Sequence, residues 1–331
     1  MDKTRFGSTD LAVSQLCLGT MSMGSSAWKG WVLDEKDSIP ILRRALDLGI
    51  NFFDMADWYS LGRNEEVVGR NLLKMTDRER LVLATKVFYP MSDDPGDRGL
   101  SRQHIATSID RSLKRIGTDY VDLYVIHAFD VETPVEETME ALHRTVGTGK
   151  VRYLGASTMY TWQFAKMNHV AAMNGWTPFV NMQCQYNLLY REEEREMFPY
   201  CRDQGIAVTT FSPLARGFLA RDARTARTAH DLYQEYYGDE IDREIARRVR
   251  EVAARRSVSP SHVAMAWVAG SRNRNVPIVG ASKTAQLEAA VEALTLTLDA
   301  GERAFLEAPY RPRDEINDQN PVRRPRALHP G

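Results

Sequence analysis

The stretch RLVLATKV (80–87) decides the fold, because its aliphatic run is broken only by Thr85 and by a lysine, Lys86, near its end. It is too short for a core helix and rich enough in β-branched residues to read as a strand. The same grammar recurs on both sides of it: SQLCLG (14–19), INFF (50–53), YVDLYVI (120–126), VRYLGA (151–156), PFVNMQ (178–183), IAVTTF (206–211) and VPIVG (276–280). Between these runs the period changes to that of amphipathic helices, at 34–48, 64–74, 101–116, 135–148, 160–174, 192–204, 241–256 and 284–294. Ser101 reads as an N-cap, Thr133-Pro134 as a helix start, and Gly49, Gly149 and Gly205 as helix ends. Eight strands, each followed by a helix, is the count of a (β/α)8 TIM barrel. An open doubly wound sheet would place a glycine-rich turn after an early strand, and neither GxGxxG nor GxxxxGKS occurs. KTRFGSTDLAVSQ (3–15) reads as an N-terminal β-hairpin turning at Gly7-Ser8 and closing the barrel's bottom. Residues 257–270 and 299–308 are expected to be extra helices near the C-terminus. The reading is a single domain over 1–331, with 309–331 an extended, Pro- and Arg-rich tail.

Composition narrows the function. Lys+Arg total 43 against 44 Asp+Glu, a formal net charge of -1, so the basic excess of a nucleic-acid binder is missing. At 43% hydrophobic and 26% charged, the chain has an ordinary globular mixture. No apolar run approaches the roughly 20 residues that span a bilayer, and the first residues lack a signal peptide's apolar core. Cys17, Cys184 and Cys201 are far apart and without CxxC spacing, which fits a reduced compartment and no structural zinc. The expectation is a cytoplasmic protein without membrane or nucleic-acid partners.

Active sites of such barrels form at the C-terminal ends of the strands. There the sequence offers Asp54 after INFF, Tyr59 in the following loop, Lys86 near the end of RLVLATKV and His127 directly after YVDLYVI. An unpaired lysine at a barrel mouth is costly, and Asp54 is its natural counter-ion. A tyrosine beside that ammonium is expected to have a lowered pKa and to exchange a proton readily. A histidine there can hydrogen-bond a substrate oxygen. With no strong nucleophile and no metal cluster, the set suits protonation of a carbonyl oxygen while a cofactor delivers hydride to carbon.

These residues resemble the aldo-keto reductase superfamily of NADPH-dependent (β/α)8 oxidoreductases. NFFDMADWYS stands where that family carries its catalytic Asp and Tyr, VLATKV where it carries the Lys, and YVDLYVIH where it carries the His. The resemblance covers almost the whole chain in order. LGASTMYTWQFAK, QYNLLYREEERE, FSPLARGFLA and EAPYRPR are similar to a bacterial aryl-alcohol-dehydrogenase-like branch near the potassium-channel β-subunits. By resemblance, Ser157 and Gln183 hold a nicotinamide carboxamide and Phe211 stacks under the ring. Ser212, Leu214, Arg216 and Gly217 line the pyrophosphate, and Gly280, Ser282, Lys283 and Gln286 take the adenosine end. Lys283 near a helix N-terminus favours NADPH over NADH. The chain departs from the family pattern at Thr158, at Glu288-Ala289-Ala290 and at Ala128-Phe129-Asp130, the last suggesting an altered, roomier substrate pocket.

The substrate side is aromatic. Trp28 and Trp31, with Trp58, Phe88, Tyr89 and Phe129, can wall a pocket for a flat or ring-containing carbonyl, with Trp31 and Phe129 as the leading contacts. The segment 218–240 reads either as a lid or as a solvated excursion. Two other functions stay open: an NADPH-sensing regulatory subunit with slow turnover, and a lyase with Lys86 as Schiff base. The oligomeric state is unspecified, a homo-oligomer included.

Overall fold

The computed structural model describes residues 1–220, 237–273 and 275–313. Strands β1 (Lys3–Arg5) and β2 (Ala12–Ser14) form an antiparallel hairpin. The barrel follows: β3 (Cys17–Gly19), β4 (Phe52–Asp54), β5 (Val82–Val87), β6 (Val121–Ile126), β7 (Val151–Ser157), β8 (Phe179–Gln185), β9 (Ala207–Phe211) and β10 (Val276–Gly280). All eight are parallel, and β10 pairs with β3 to close the ring. Both β5 and β6 are buried at every residue. Parallel strands covered on both faces need this continuous apolar character rather than alternation.

The outer layer comprises α1 (Glu35–Asp47), α2 (Arg63–Met75), α3 (Arg102–Ile116), α4 (Val135–Gly147), α5 (Thr161–Asn174), α6 (Met197–Asp203), α7 (Glu240–Arg256), α8 (Pro260–Ala269), α9 (Thr284–Ala293) and α10 (Ala300–Glu307). Start and stop signals act as expected at α3: the Ser101 hydroxyl accepts from the His104 N–H, and Gly117 adopts a left-handed conformation after the last turn. Apolar stripes such as Ile41/Leu42, Val68/Leu72 and Ile105/Ile109 fill the space between helices and barrel.

A second core lies inside the barrel, where Phe6, Leu11 and Val13 from the hairpin region join Phe52, Val82, Leu123 and Ile278. Phe6 meets Phe52 edge-on at 5.5 Å, so the hairpin plugs the bottom and leaves the other end for chemistry. Its turn requires glycine. Gly7 has φ +57°, and a side chain there would lie 2.8 Å from the Ala207 nitrogen.

Two expected elements differ. The run 14–19 splits, with Ser14 ending the hairpin and the barrel strand starting at Cys17; the Ser14 hydroxyl donates to the Leu16 carbonyl across the break. The helix expected over 192–204 is a 3-10 turn, Glu192–Glu194, followed by α6. The reason is Pro199, whose ring would clash with the Arg195 carbonyl in a continuous helix but is tolerated in the first turn of one starting at Met197. Of the expected tail, Tyr310 is fixed: its hydroxyl donates to Glu192 at 2.6 Å and accepts from the Arg191 N–H at 2.9 Å. Residues 314–331 of the tail, and 221–236 of the expected lid, lie outside the described residues. Among the described residues no helix is long and apolar enough to cross a membrane.

Candidate active site

Strand register brings the sequence-singled residues of the first half together. Asp54 closes β4, in line with Gly19 and Ala84 on its neighbours. Lys86 is the penultimate residue of β5, opposite Val125, and His127 follows β6 with its N–H donated to the Val87 carbonyl at 2.9 Å. Tyr59 opens a 3-10 turn, Tyr59–Gly62, between β4 and α2.

Lys86 is the hub. Its Nζ donates to Asp54 Oδ2 at 2.6 Å, to the Met55 carbonyl at 2.8 Å and to the Tyr59 hydroxyl at 3.1 Å. Those three acceptors match the three N–H bonds of an ammonium. Lys86 is wholly buried, Asp54 3% exposed and Tyr59 7% exposed, so the ion pair survives because it is fully hydrogen-bonded. Asp54 Oδ1 in turn accepts from Gln183 Nε2 at 3.0 Å. The Tyr59 and His127 rings meet edge-on at 5.8 Å.

The electrostatics follow. Burial alone would lower Lys86, but Asp54 and Tyr59 outweigh it and hold the amine above its usual range. For Tyr59 burial dominates the pull of Lys86, and the phenol is raised. The expected lowering of Tyr59 is therefore corrected: desolvation of a phenolate in this site exceeds the attraction of an ammonium already shared with Asp54. Burial, with the Lys86 charge nearby, pushes His127 well below its usual range, so the imidazole is neutral. Its Nδ1 is buried without a hydrogen-bond partner among the described residues.

The second half of the mouth carries the residues linked above to a dinucleotide. Ser157, the last residue of β7, is the ladder partner of Gln183 near the end of β8, and Phe211 pairs with Gln185 at the end of β9. Ser157 and Gln183 are buried. Thr158 follows at φ +51° and shares a hydrogen bond with the Ser157 hydroxyl at 3.0 Å; a β-branched residue rarely adopts that conformation. After β9, Ser212, Ala215, Arg216 and Gly217 all have positive φ, between +46° and +99°, in the turn Ala215–Gly217 preceded by Leu214. Within it the Ala215 N–H donates to the Ser212 carbonyl and the Gly217 N–H to the Leu214 carbonyl, at 2.9 Å each, so the turn is tied by its own backbone. Past β10, Gly280, Ser282 and Lys283 are exposed and lead into α9. The Gln286 side-chain carbonyl ties this turn by accepting from Ser282 N at 2.8 Å and Lys283 N at 3.2 Å.

Sequence reasoning missed several supports. Asn187 Nδ2 donates to the Ser212 carbonyl at 3.0 Å and to the Tyr237 hydroxyl at 3.3 Å, so a buried amide braces the left-handed turn; the only signal for it in the sequence is the family-like QYN motif. Asp57, in the same loop as Tyr59, is fully buried. Glu288, one of the departures, pairs with Arg44 at 2.6 Å, and Asp130 joins its own loop to the one before α3 by accepting from Thr133 Oγ1 and Leu100 N at 2.7 Å each.

The aromatic residues fall into two groups. One is a continuous ladder of ring contacts: His127 to Tyr89 at 4.7 Å, Tyr89 to Trp58 at 5.0 Å, Trp58 to Trp28 at 5.1 Å and Trp28 to Trp31 at 6.4 Å. Phe88 adjoins it through Tyr89 at 5.4 Å. Phe129 stands apart and packs against Trp162 at 6.2 Å, a residue that the sequence does not single out for the pocket.

Known proteins are similar to this chain over most of its length. Residues 15–309 match the aldo/keto reductase family. Versiconal hemiacetal acetate reductase of Aspergillus parasiticus is 38% identical, covering 100% of this chain and 99% of that protein. An aldo-keto reductase of Alternaria alternata is 41% identical over 93% of this chain and 91% of its own. A Schizosaccharomyces pombe protein provisionally named an aryl-alcohol dehydrogenase is 40% identical over 92% and 95%. These relatives are fungal, where the sequence reading looked to a bacterial branch. The chain belongs to the aldo/keto reductase family.

Proposed function

We propose that the protein is an NADPH-dependent reductase of aldehyde or ketone carbonyls, with Tyr59 as the proton donor. The observation that carries this reading is the single Lys86 ammonium shared between the Asp54 carboxylate and the Tyr59 hydroxyl at the barrel mouth. When bound, the nicotinamide cofactor supplies the hydride. Tyr59, raised by burial, holds its proton across the neutral range and is loaded as an acid. As the carbonyl oxygen gains charge, Lys86 stabilises the phenolate that proton transfer leaves behind. Asp54 fixes Lys86, and neutral His127 orients the oxygen by hydrogen bonding without competing for the proton.

Ser157 and Gln183 are suited to a carboxamide, and Phe211 to stacking. Ser212, Leu214, Arg216 and Gly217 form the turn for the pyrophosphate, where Arg216 brings a guanidinium. Gly280, Ser282, Lys283 and Gln286 form the turn for the adenosine end, where Lys283 at the start of α9 favours the extra phosphate of NADPH. The ladder reaching Trp31, together with Phe129, supports aryl or other ring carbonyls as substrates, in keeping with relatives named for an aryl alcohol and for versiconal hemiacetal acetate. A Schiff-base lyase is disfavoured, because every N–H of Lys86 is engaged and its amine is held protonated.

The test is NADPH consumption by absorbance with aryl aldehydes, sugar-derived aldehydes and bulky ring ketones. Turnover on at least one class, best on ring compounds, is expected. Tight NADPH binding without turnover on any class would shift the function to a sensor.

A further inference from the structure

Behind the Tyr59 turn lies a buried charge cluster that the proposed reduction leaves unused. Asp57 and Glu65 are both inaccessible to solvent. Both oxygens of Glu65 are engaged: Arg115 Nε donates to one at 2.6 Å and the Thr85 hydroxyl to the other. Asp57 is left with neutral donors. Its Oδ1 accepts the Trp58 backbone N–H at 2.6 Å and its Oδ2 the Ser108 hydroxyl at 2.8 Å. The Asp57 N–H donates to the Lys86 carbonyl at 3.3 Å. One residue thus joins the end of β5, the loop bearing Tyr59 and helix α3.

That loop needs a clamp. Directly after Tyr59, Ser60 and Leu61 have φ of +51° and +50°, followed by Gly62 at +90°. Non-glycine residues stay in the left-handed region only where their surroundings over-determine them.

We propose that Asp57 is a positioning residue for Tyr59: its ionised carboxylate clamps the Trp58–Tyr59 turn to α3, and protonation relaxes the clamp. The proposal rests on reading Tyr59 as the proton donor. The ionisable groups facing Asp57 are Glu65 from α2, Arg115 from α3 and Tyr124 from β6. Burial and then Glu65 push the Asp57 carboxyl up to about 7, against Ser108, Arg115 and the Trp58 N–H. Burial raises Tyr124 far enough that it stays neutral. Asp57 therefore changes charge near neutrality, and with it the charge-assisted bond to the Trp58 N–H, which is roughly twice as strong as its neutral counterpart.

The experiment follows kcat at saturating NADPH from about pH 5 to 9, and tryptophan emission of the cofactor-free protein over the same range. The wild type should gain turnover severalfold through an inflection near the Asp57 value. Asp57→Asn should hold turnover at the low plateau at every pH, with NADPH affinity unchanged and the emission change lost. Ser108→Ala removes the bond to α3 and with it a donor that favours the carboxylate, so the turnover gained at high pH should shrink and both inflections should move to higher pH, a displacement that mere destabilisation does not produce. Asp57→Asn keeping the inflection, or Ser108→Ala leaving it in place, would overturn the proposal. Absence of an emission change in the wild type overturns the clamp whatever Tyr59 does; full turnover by Tyr59→Phe overturns the proton-donor reading instead.

Discussion

The two halves of the barrel mouth are built on opposite principles. From β4 to β6, Asp54, Tyr59 and Lys86 are buried and bonded to one another before any ligand arrives. From β9 to β10, Arg216 is only partly buried and Lys283 exposed, on turns rather than strands. The first arrangement fixes geometry within a water-poor site, where preorganised charges act most strongly on a reacting group. The second carries its cations on turns whose backbone N–H groups are tied internally, Ser282 and Lys283 to Gln286 and Ala215 and Gly217 to carbonyls of their own turn, an arrangement suited to receiving a long, anionic ligand from solvent. The reactive set is rigid by burial, and the cations proposed to meet the dinucleotide sit on loops.

Lys86→Met should separate the halves most sharply. It leaves Asp54 as an unpaired buried carboxylate, a loss of about 3–5 kcal/mol, and should abolish turnover; denaturant unfolding and NADPH consumption measure both. By contrast Lys283→Ala, on the open half, should leave unfolding unchanged and weaken NADPH by about tenfold (about 1.4 kcal/mol) while barely altering NADH. Equal loss for the two dinucleotides would place the extra phosphate elsewhere. Asp57→Asn tests the buried half from behind. Because the folded Asp57 carboxyl is raised from about 4 towards about 7, stability is lost as pH rises between those values. The Asn variant should therefore unfold at a higher temperature than the wild type at pH 8, and the advantage should shrink as pH falls through that window. Trp31→Ala, at the far end of the ladder, should have the smallest effect: a severalfold rise in KM for ring carbonyls, about 1 kcal/mol, with kcat retained.

The same contrast governs how much the sequence revealed. Asp54, Lys86 and His127 were legible because each is a polar residue ending an apolar strand, and parallel barrel strands point such ends at one mouth. Closure of the barrel and its hairpin plug were legible from period and turn chemistry. Asp57 was not, since a loop aspartate reads as solvated until Ser108, a distant residue on α3, is seen to reach it. Nor was the direction of the Tyr59 shift, which depends on burial outweighing Lys86. The left-handed turn at Ser212–Gly217 contains a single glycine, so its shape is imposed by partners such as Asn187 rather than announced locally.

The most direct test of the account is Tyr59→Phe, assayed side by side for NADPH consumption with an aryl aldehyde and for NADPH binding by fluorescence. Loss of general acid catalysis predicts a fall in kcat of about 10²–10⁴-fold with the binding constant unchanged. Turnover near the wild-type rate, with NADPH bound normally, would remove Tyr59 from the acid role and contradict the account.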